Sequence, residues 1–234
     1  MDYVKRLEKL MTRLRAPRGC PWDRRQTHQS LKPYLLEETH EVLDAINEGK
    51  PEHLMEELGD LLLQVLFHSQ IAKEKGKFNF RQVAKTIGDK LVRRHPHVFG
   101  KGASRKIADI NRKWEELKRL EKPERLSVLD GLPKSLPALL RVQRMLEKTS
   151  KAEKPPARST TPLKKTLAAL QSSLARQNRK DQEKALGDHL LHLAQWAQSQ
   201  GLHAETALQA AAARFEKDFR KSEARHPASK KSAI

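Results

Sequence analysis

The stretch LKPYLLEETHEVLDAINEGKPEHLMEELGD, residues 31–60, decides the fold. Leu31, Leu35, Val42 and Ile46 recur at helical spacing, Gly49-Lys50-Pro51 interrupts the pattern, and Pro51 is a favoured first-turn residue for a second helix. The spacing therefore predicts an antiparallel helical hairpin, with one helix over 30–48 and the next over 51–75. Glu37, Glu38 and Glu41 lie on the first helix, and Glu56, Glu57 and Asp60 on the second. A separation of three residues puts Glu38 with Glu41, and Glu57 with Asp60, on common faces. At about 1.5 Å rise per residue, Glu41 and Glu57 both stand roughly 10 Å from the turn. Glu38 and Asp60 stand farther out at matching heights, so the hairpin stacks four carboxylates into one patch.

Those carboxylates adjoin an apolar wall, because Glu38 falls within the Leu31, Leu35, Val42 stripe and Glu57 is flanked by Leu54, Leu58 and Leu61. Crowded acids in such a place need compensating partners or raised pKa values. A hard divalent cation resolves the conflict, and an all-oxygen set suits Mg²⁺, with Mn²⁺ as the alternative. The competing reading is a charged hairpin with salt bridges to Lys and Arg.

Outward from the hairpin the chain stays helical. Val4, Leu7, Leu10, Met11 and Leu14 form an opening helix, and Gly19-Cys20-Pro21-Trp22-Asp23 reads as an ordered loop. Further helices are expected over 79–94, with Phe80, Val83, Ile87 and Leu91 inward, and over 107–120, 133–150, 163–177, 181–200 and 203–224. Pro96 closes the 79–94 helix. Residues 151–162 hold three prolines and no apolar period and read as a linker, and the polar tail after His226 reads as disordered. The division expected is a catalytic domain over 1–125, a connecting helix and linker over 126–162, a second helical repeat over 163–225, and a tail over 226–234. The repeat is visible in Leu58-Gly59-Asp60-Leu61 and Leu186-Gly187-Asp188-His189, each set in a helix–turn–helix context.

The composition agrees with an all-α chain, since only 5% of residues are aromatic and Gly is sparse. A single cysteine, Cys20, forms no internal disulfide, and the longest apolar run is too short to span a bilayer. No signal-peptide core precedes the first helix, so a soluble, cytoplasmic protein with no membrane partner is expected. Net charge is +18, of which +11 falls on residues 131–234. A surface of that sign attracts polyanions, from nucleotides to nucleic acid. Lys90, Arg93 and Arg94 share one helical face and match phosphate oxygens, while Trp22 and Trp114 are candidates to stack on a base.

Gly19-Cys20-Pro21-Trp22-Asp23, Gln26-Thr27-His28, the run from Leu31 to Glu38, Glu57-Leu58-Gly59-Asp60 and the run from Lys90 to Gly100 together resemble the MazG family of nucleoside triphosphate pyrophosphohydrolases. The resemblance is strong over residues 1–122 and weaker to about residue 225, as in tandem two-repeat members. It implies a helical-bundle NTP-pyrophosphatase fold that forms homodimers, and Mg²⁺-dependent hydrolysis of nucleoside triphosphates to monophosphate and pyrophosphate, a nucleotide-pool house-cleaning role. It implies metal ligation by Glu38, Glu41, Glu57 and Asp60, triphosphate contact by Lys90, Arg93 and Arg94, and nucleotide contact by Trp114. Glu37 and Glu56 are second-layer groups or proton acceptors.

In the second repeat Ala185 and Lys184 stand where Glu57 and Glu56 stand in the first, Lys164 and Lys165 replace the upstream glutamates, and only Asp188 is retained. Lysines at a cation site are electrostatically wrong, so this copy is expected to pack or dimerise rather than bind metal. A basic nucleic-acid-binding or dimerisation protein with vestigial hydrolase activity is the alternative reading of the chain.

Overall fold

The computed structural model describes residues 2–100, 106–150, 152, 163–175 and 178–225. Among them are eleven helices and no strand. The chain divides into two compact units, Met1–Lys118 and Arg119–Ile234.

In the first unit, α1 (Tyr3–Leu14), α2 (Pro21–Arg25), α3 (Lys32–Glu48), α4 (Pro51–Glu74), α5 (Phe80–Arg94) and α6 (Pro96–Phe99) precede α7 (Ile107–Leu120). Helix α4 is the spine, and α1, α3 and α5 pack on it. The α3–α4 turn forms because Gly49 takes a left-handed φ of 70°, the C-terminal stop that glycine enters without strain, and Pro51 then opens α4. Helix α5 starts with a reciprocal cap in which the Asn79 side chain accepts from the Gln82 amide and the Gln82 side chain accepts from the Asn79 amide.

The core of this unit is Met11, Leu31, Phe67 and Ile71, each at most 3% exposed. Burying a side chain of this size stabilises a fold by roughly 1.5–3 kcal/mol. Arg15 locks the same region: its guanidinium donates to both carboxylate oxygens of Glu74 and to the backbone carbonyls of Asp23 and Gln26, and lies over the Phe67 ring at 5.4 Å. One side chain thus ties α1, α4 and the segment around α2 together.

The structure departs from the sequence reading at several points. Residues 21–25 form a short helix rather than a loop, and Pro96, read as a stop, also begins the one-turn α6, because proline at a first helical position has no amide to lose. The helix expected over 133–150 runs only from Ala138 to Ser150. The apolar stripes are also less buried than their periodicity implies: Leu35, Ile46, Ile87 and Leu91 are all exposed. The linker, apart from Ala152, and the tail fall outside the described residues.

In the second unit, α8 (Ala138–Ser150), α9 (Leu163–Leu174), α10 (Arg179–Ser199) and α11 (Ala204–Arg225) follow. Here α10 is the spine, and α8, α9 and α11 pack on it. The buried positions of this unit include Ala194 and Ala197 on α10, Gln143 on α8 and Thr166 on α9.

Candidate functional site

The hairpin turn sets the register of α3 against α4, and that register brings Glu38, Glu41 and Glu57 together. Each offers a carboxylate oxygen within 4.8 Å of the others. Glu57 is 9% exposed, Glu38 is half-buried and Glu41 faces outward. Asp60, one turn along α4 from Glu57, stands outside that tight triad but bears on it electrically. The Glu38 carboxyl is pushed above the usual glutamate range, first by burial and then by the charges of Asp60 and Glu41. Glu37 and Glu56, next in sequence to Glu38 and Glu57, are exposed.

The compensation inside the protein is slight. Among the described residues no Lys or Arg forms an ion pair with Glu38, Glu41, Glu57 or Asp60, and the one side chain paired with any of them is that of His53. The Gln64 amide donates to Glu38 Oε1 at 3.5 Å, the outer limit of a hydrogen bond, and its own Oε1 is buried without a partner. His53 Nε2 lies 2.9 Å from Glu57 Oε1, and its Nδ1 lies 3.1 Å from Glu48 Oε2. Both ring nitrogens thus face carboxylate oxygens, and the imidazole pKa is raised, chiefly by the hydrogen bond to Glu48. A close, oxygen-only, under-compensated set of acids is what Mg²⁺ or Mn²⁺ binds well, so the residues fit such an ion.

The cationic and aromatic candidates occupy two other places. Lys90, Arg93 and Arg94 lie on the last turn and a half of α5, and Trp114 on α7. Arg94 lies over the Trp114 ring at 5.2 Å, and His95 meets the same ring edge-on at 5.0 Å. Trp22, on α2, is 47% exposed and packs edge-on against Tyr34 at 5.7 Å and Phe67 at 6.4 Å. In the same unit, His28 and His68 stack with their Nδ1 atoms 2.8 Å apart. Burial and the His28 charge hold the His68 imidazole below its ordinary value.

Reading the sequence alone passed over His53 and Gln64. Both were accessible, since His53 precedes Glu57 by four residues and Gln64 follows Asp60 by four, the spacing of neighbours on a helix face.

Residues 26–99, the segment holding the hairpin and its acids, match the family profile described as the MazG nucleotide pyrophosphohydrolase domain. A nucleoside triphosphate pyrophosphohydrolase of Escherichia coli K12 is 40% identical over 231 residues, spanning 95% of this chain and 88% of that protein. The chain belongs to the MazG family. A second MazG protein, the nucleoside triphosphate pyrophosphohydrolase/pyrophosphatase of Thermotoga maritima, is 38% identical over 221 residues, 93% of this chain and 84% of that protein. A nucleoside triphosphate pyrophosphohydrolase of Mycobacterium tuberculosis is 43% identical over 157 residues, 66% of this chain and 46% of that protein. The all-helical architecture of the first unit is thus that of a MazG domain, and the acid-bearing hairpin lies at its centre.

Proposed function

We infer that this chain is a nucleoside triphosphate pyrophosphohydrolase, which releases pyrophosphate and leaves a nucleoside monophosphate. The carrying observation is the triad of Glu38, Glu41 and Glu57 on facing helices, within a chain whose relatives of that name match it nearly end to end. Glu38, Glu41, Glu57 and Asp60 hold a divalent cation, Mg²⁺ or Mn²⁺. That ion, when bound, supplies charge neutralisation on phosphate oxygens and a water of lowered pKa.

The protein's own groups do the rest. Their mutual repulsion, which among the described residues only the His53 imidazole at Glu57 offsets, makes the four acids a strong acceptor for positive charge. Glu37 and Glu56, exposed and next in sequence to Glu38 and Glu57, are the candidates to accept a proton from the attacking water. Lys90, Arg93 and Arg94 meet the triphosphate, the arginines by paired N–H donors. Trp22 and Trp114 flank the nucleoside. The enzyme works on the nucleotide pool of the cytoplasm; among the described residues no helix is long and apolar enough to cross a membrane.

Two wider proposals have support in the fold. Residues 163–225 form a degenerate second copy of the hairpin unit: α9 packs on α10 as α3 packs on α4, and α11 follows on α10 as α5 follows on α4. The protein pairs with a second copy of itself. Met55, Leu58 and Leu62 are exposed along α4, and a side chain at Gly59 would meet nothing within 4 Å, so a partner helix has apolar surface and room for close approach.

The test is pyrophosphate release from each nucleoside triphosphate with Mg²⁺, in the unaltered protein and in Glu57→Gln. Release by the former and its loss in the latter are expected. Release that survives the substitution refutes the site.

A further inference from the structure

We propose that His53 is a positioning residue for the carboxylate cluster, fixing the Glu57 carboxyl through a Glu48–His53–Glu57 chain of contacts; this rests on the metal-binding reading given above. The chain begins at Glu48, the last residue of α3, crosses the Gly49 turn, and reaches Glu57 through the first turn of α4. Its two links are 3.1 Å and 2.9 Å. The second is well within hydrogen-bond reach, whereas the Gln64 contact to Glu38 is stretched to 3.5 Å.

A glutamate side chain has three rotatable bonds, and a ligand must hold one orientation of its carboxyl plane. Glu57 is largely buried, and among the described residues no Lys or Arg pairs with it. The imidazole holds Oε1, which restricts rotation of the carboxyl group and determines where its second oxygen points. Glu48 does the same for the imidazole, because a ring with a carboxylate at each nitrogen has little freedom to turn. Such outer partners of ligating groups set metal affinity as well as orientation. The neighbouring contacts of His53 serve this arrangement: Lys50, beside it in the turn, pairs with Glu48 at 3.4 Å and so holds the far end of the chain.

The contact could instead be incidental, a half-exposed histidine resting on its i+4 neighbour. The two cases differ in metal affinity, which can be read without turnover. Titration calorimetry with Mn²⁺ alone, no nucleotide present, is to be run on the unaltered protein, His53→Ala, His53→Gln, Glu48→Gln and Glu57→Gln. His53→Ala is expected to weaken Mn²⁺ binding by about 10- to 100-fold, with helicity and melting temperature unchanged. His53→Gln, whose amide reaches the same carboxylate oxygen, is expected to recover most of that loss, and Glu48→Gln to show a smaller one. In turnover assays the Mg²⁺ concentration for half-maximal rate should rise in His53→Ala, while kcat at saturating Mg²⁺ stays close to that of the unaltered enzyme. Unchanged Mn²⁺ affinity in His53→Ala, alongside lost affinity in Glu57→Gln, overturns the role of His53 and leaves the metal site standing. Unchanged affinity in Glu57→Gln as well overturns both.

Discussion

At Glu38, burial and the charges of Asp60 and Glu41 act in the same direction, and only the long hydrogen bond from Gln64 opposes them. The folded chain therefore holds a proton there over a range in which the unfolded chain has released it. Stability consequently declines as pH rises through the window that starts at the ordinary glutamate value and ends at the raised one. In metal-free protein, Glu38→Gln is expected to raise the melting temperature at pH 7.5. It should leave it unchanged below the ordinary glutamate pKa, where the carboxyl is neutral in both states. Scanning calorimetry in the presence of chelator checks this. With Mg²⁺ and nucleotide the same substitution is expected to reduce turnover by at least about a hundredfold, since losing a ligand outweighs losing an outer partner. A steady-state assay of pyrophosphate release measures it. Stability and activity move in opposite directions at this residue, as expected where a site is built from groups that repel one another.

Helix α4 carries the acids near its start and the Arg15 latch near its end. The Arg15 side chain is 6% exposed, and its pairing with Glu74 holds that carboxyl below its usual pKa. A depressed carboxyl contributes stability above its unfolded pKa and loses it as pH falls through the folded one. Arg15→Ala is expected to destabilise the protein by about 2–3 kcal/mol, because carbonyls of Asp23 and Gln26 lose a charged donor along with Glu74. Arg15→Lys should recover little, since one ammonium cannot serve the three sites a guanidinium fork reaches. Urea unfolding at pH 7 measures both. The contrast between latch and hairpin shows what a sequence makes legible. Gly49 and Pro51 are local signals with local causes, and they placed the hairpin, and with it the facing acids, from thirty residues of sequence. Nothing near Arg15 announces Glu74, which lies 59 positions away. Helix α2 was hidden for a different reason: Gly19, Cys20 and Pro21 signal a turn, and the same Pro21 is equally a helix opener. The apolar stripes misled because periodicity tells which face is greasy, not whether this chain alone covers it.

For the molecule as a whole, the two units present an unequal pair. In the proposed second copy Asp188 on α10 is the counterpart of Asp60 on α4, but Lys184 and Ala185 precede it, and it is exposed. Asp188→Asn is expected to change pyrophosphate release by less than about twofold, the scale of an ordinary surface substitution, whereas Asp60→Asn is expected to lower it sharply. Comparing the two under identical Mg²⁺ decides whether chemistry is confined to Met1–Lys118. The first unit also has a constraint of counting. Between Asp60 and Phe67 runs an unbroken stretch of α4 joining the clustered acids to the residue on which Trp22 and Arg15 rest. Side chains there can be exchanged one for another, but deleting a single residue would swivel one end of the rod by about 100° relative to the other. Either the acids or the tryptophan support would then face the wrong way, so this part of the chain can drift in chemistry while its length stays frozen.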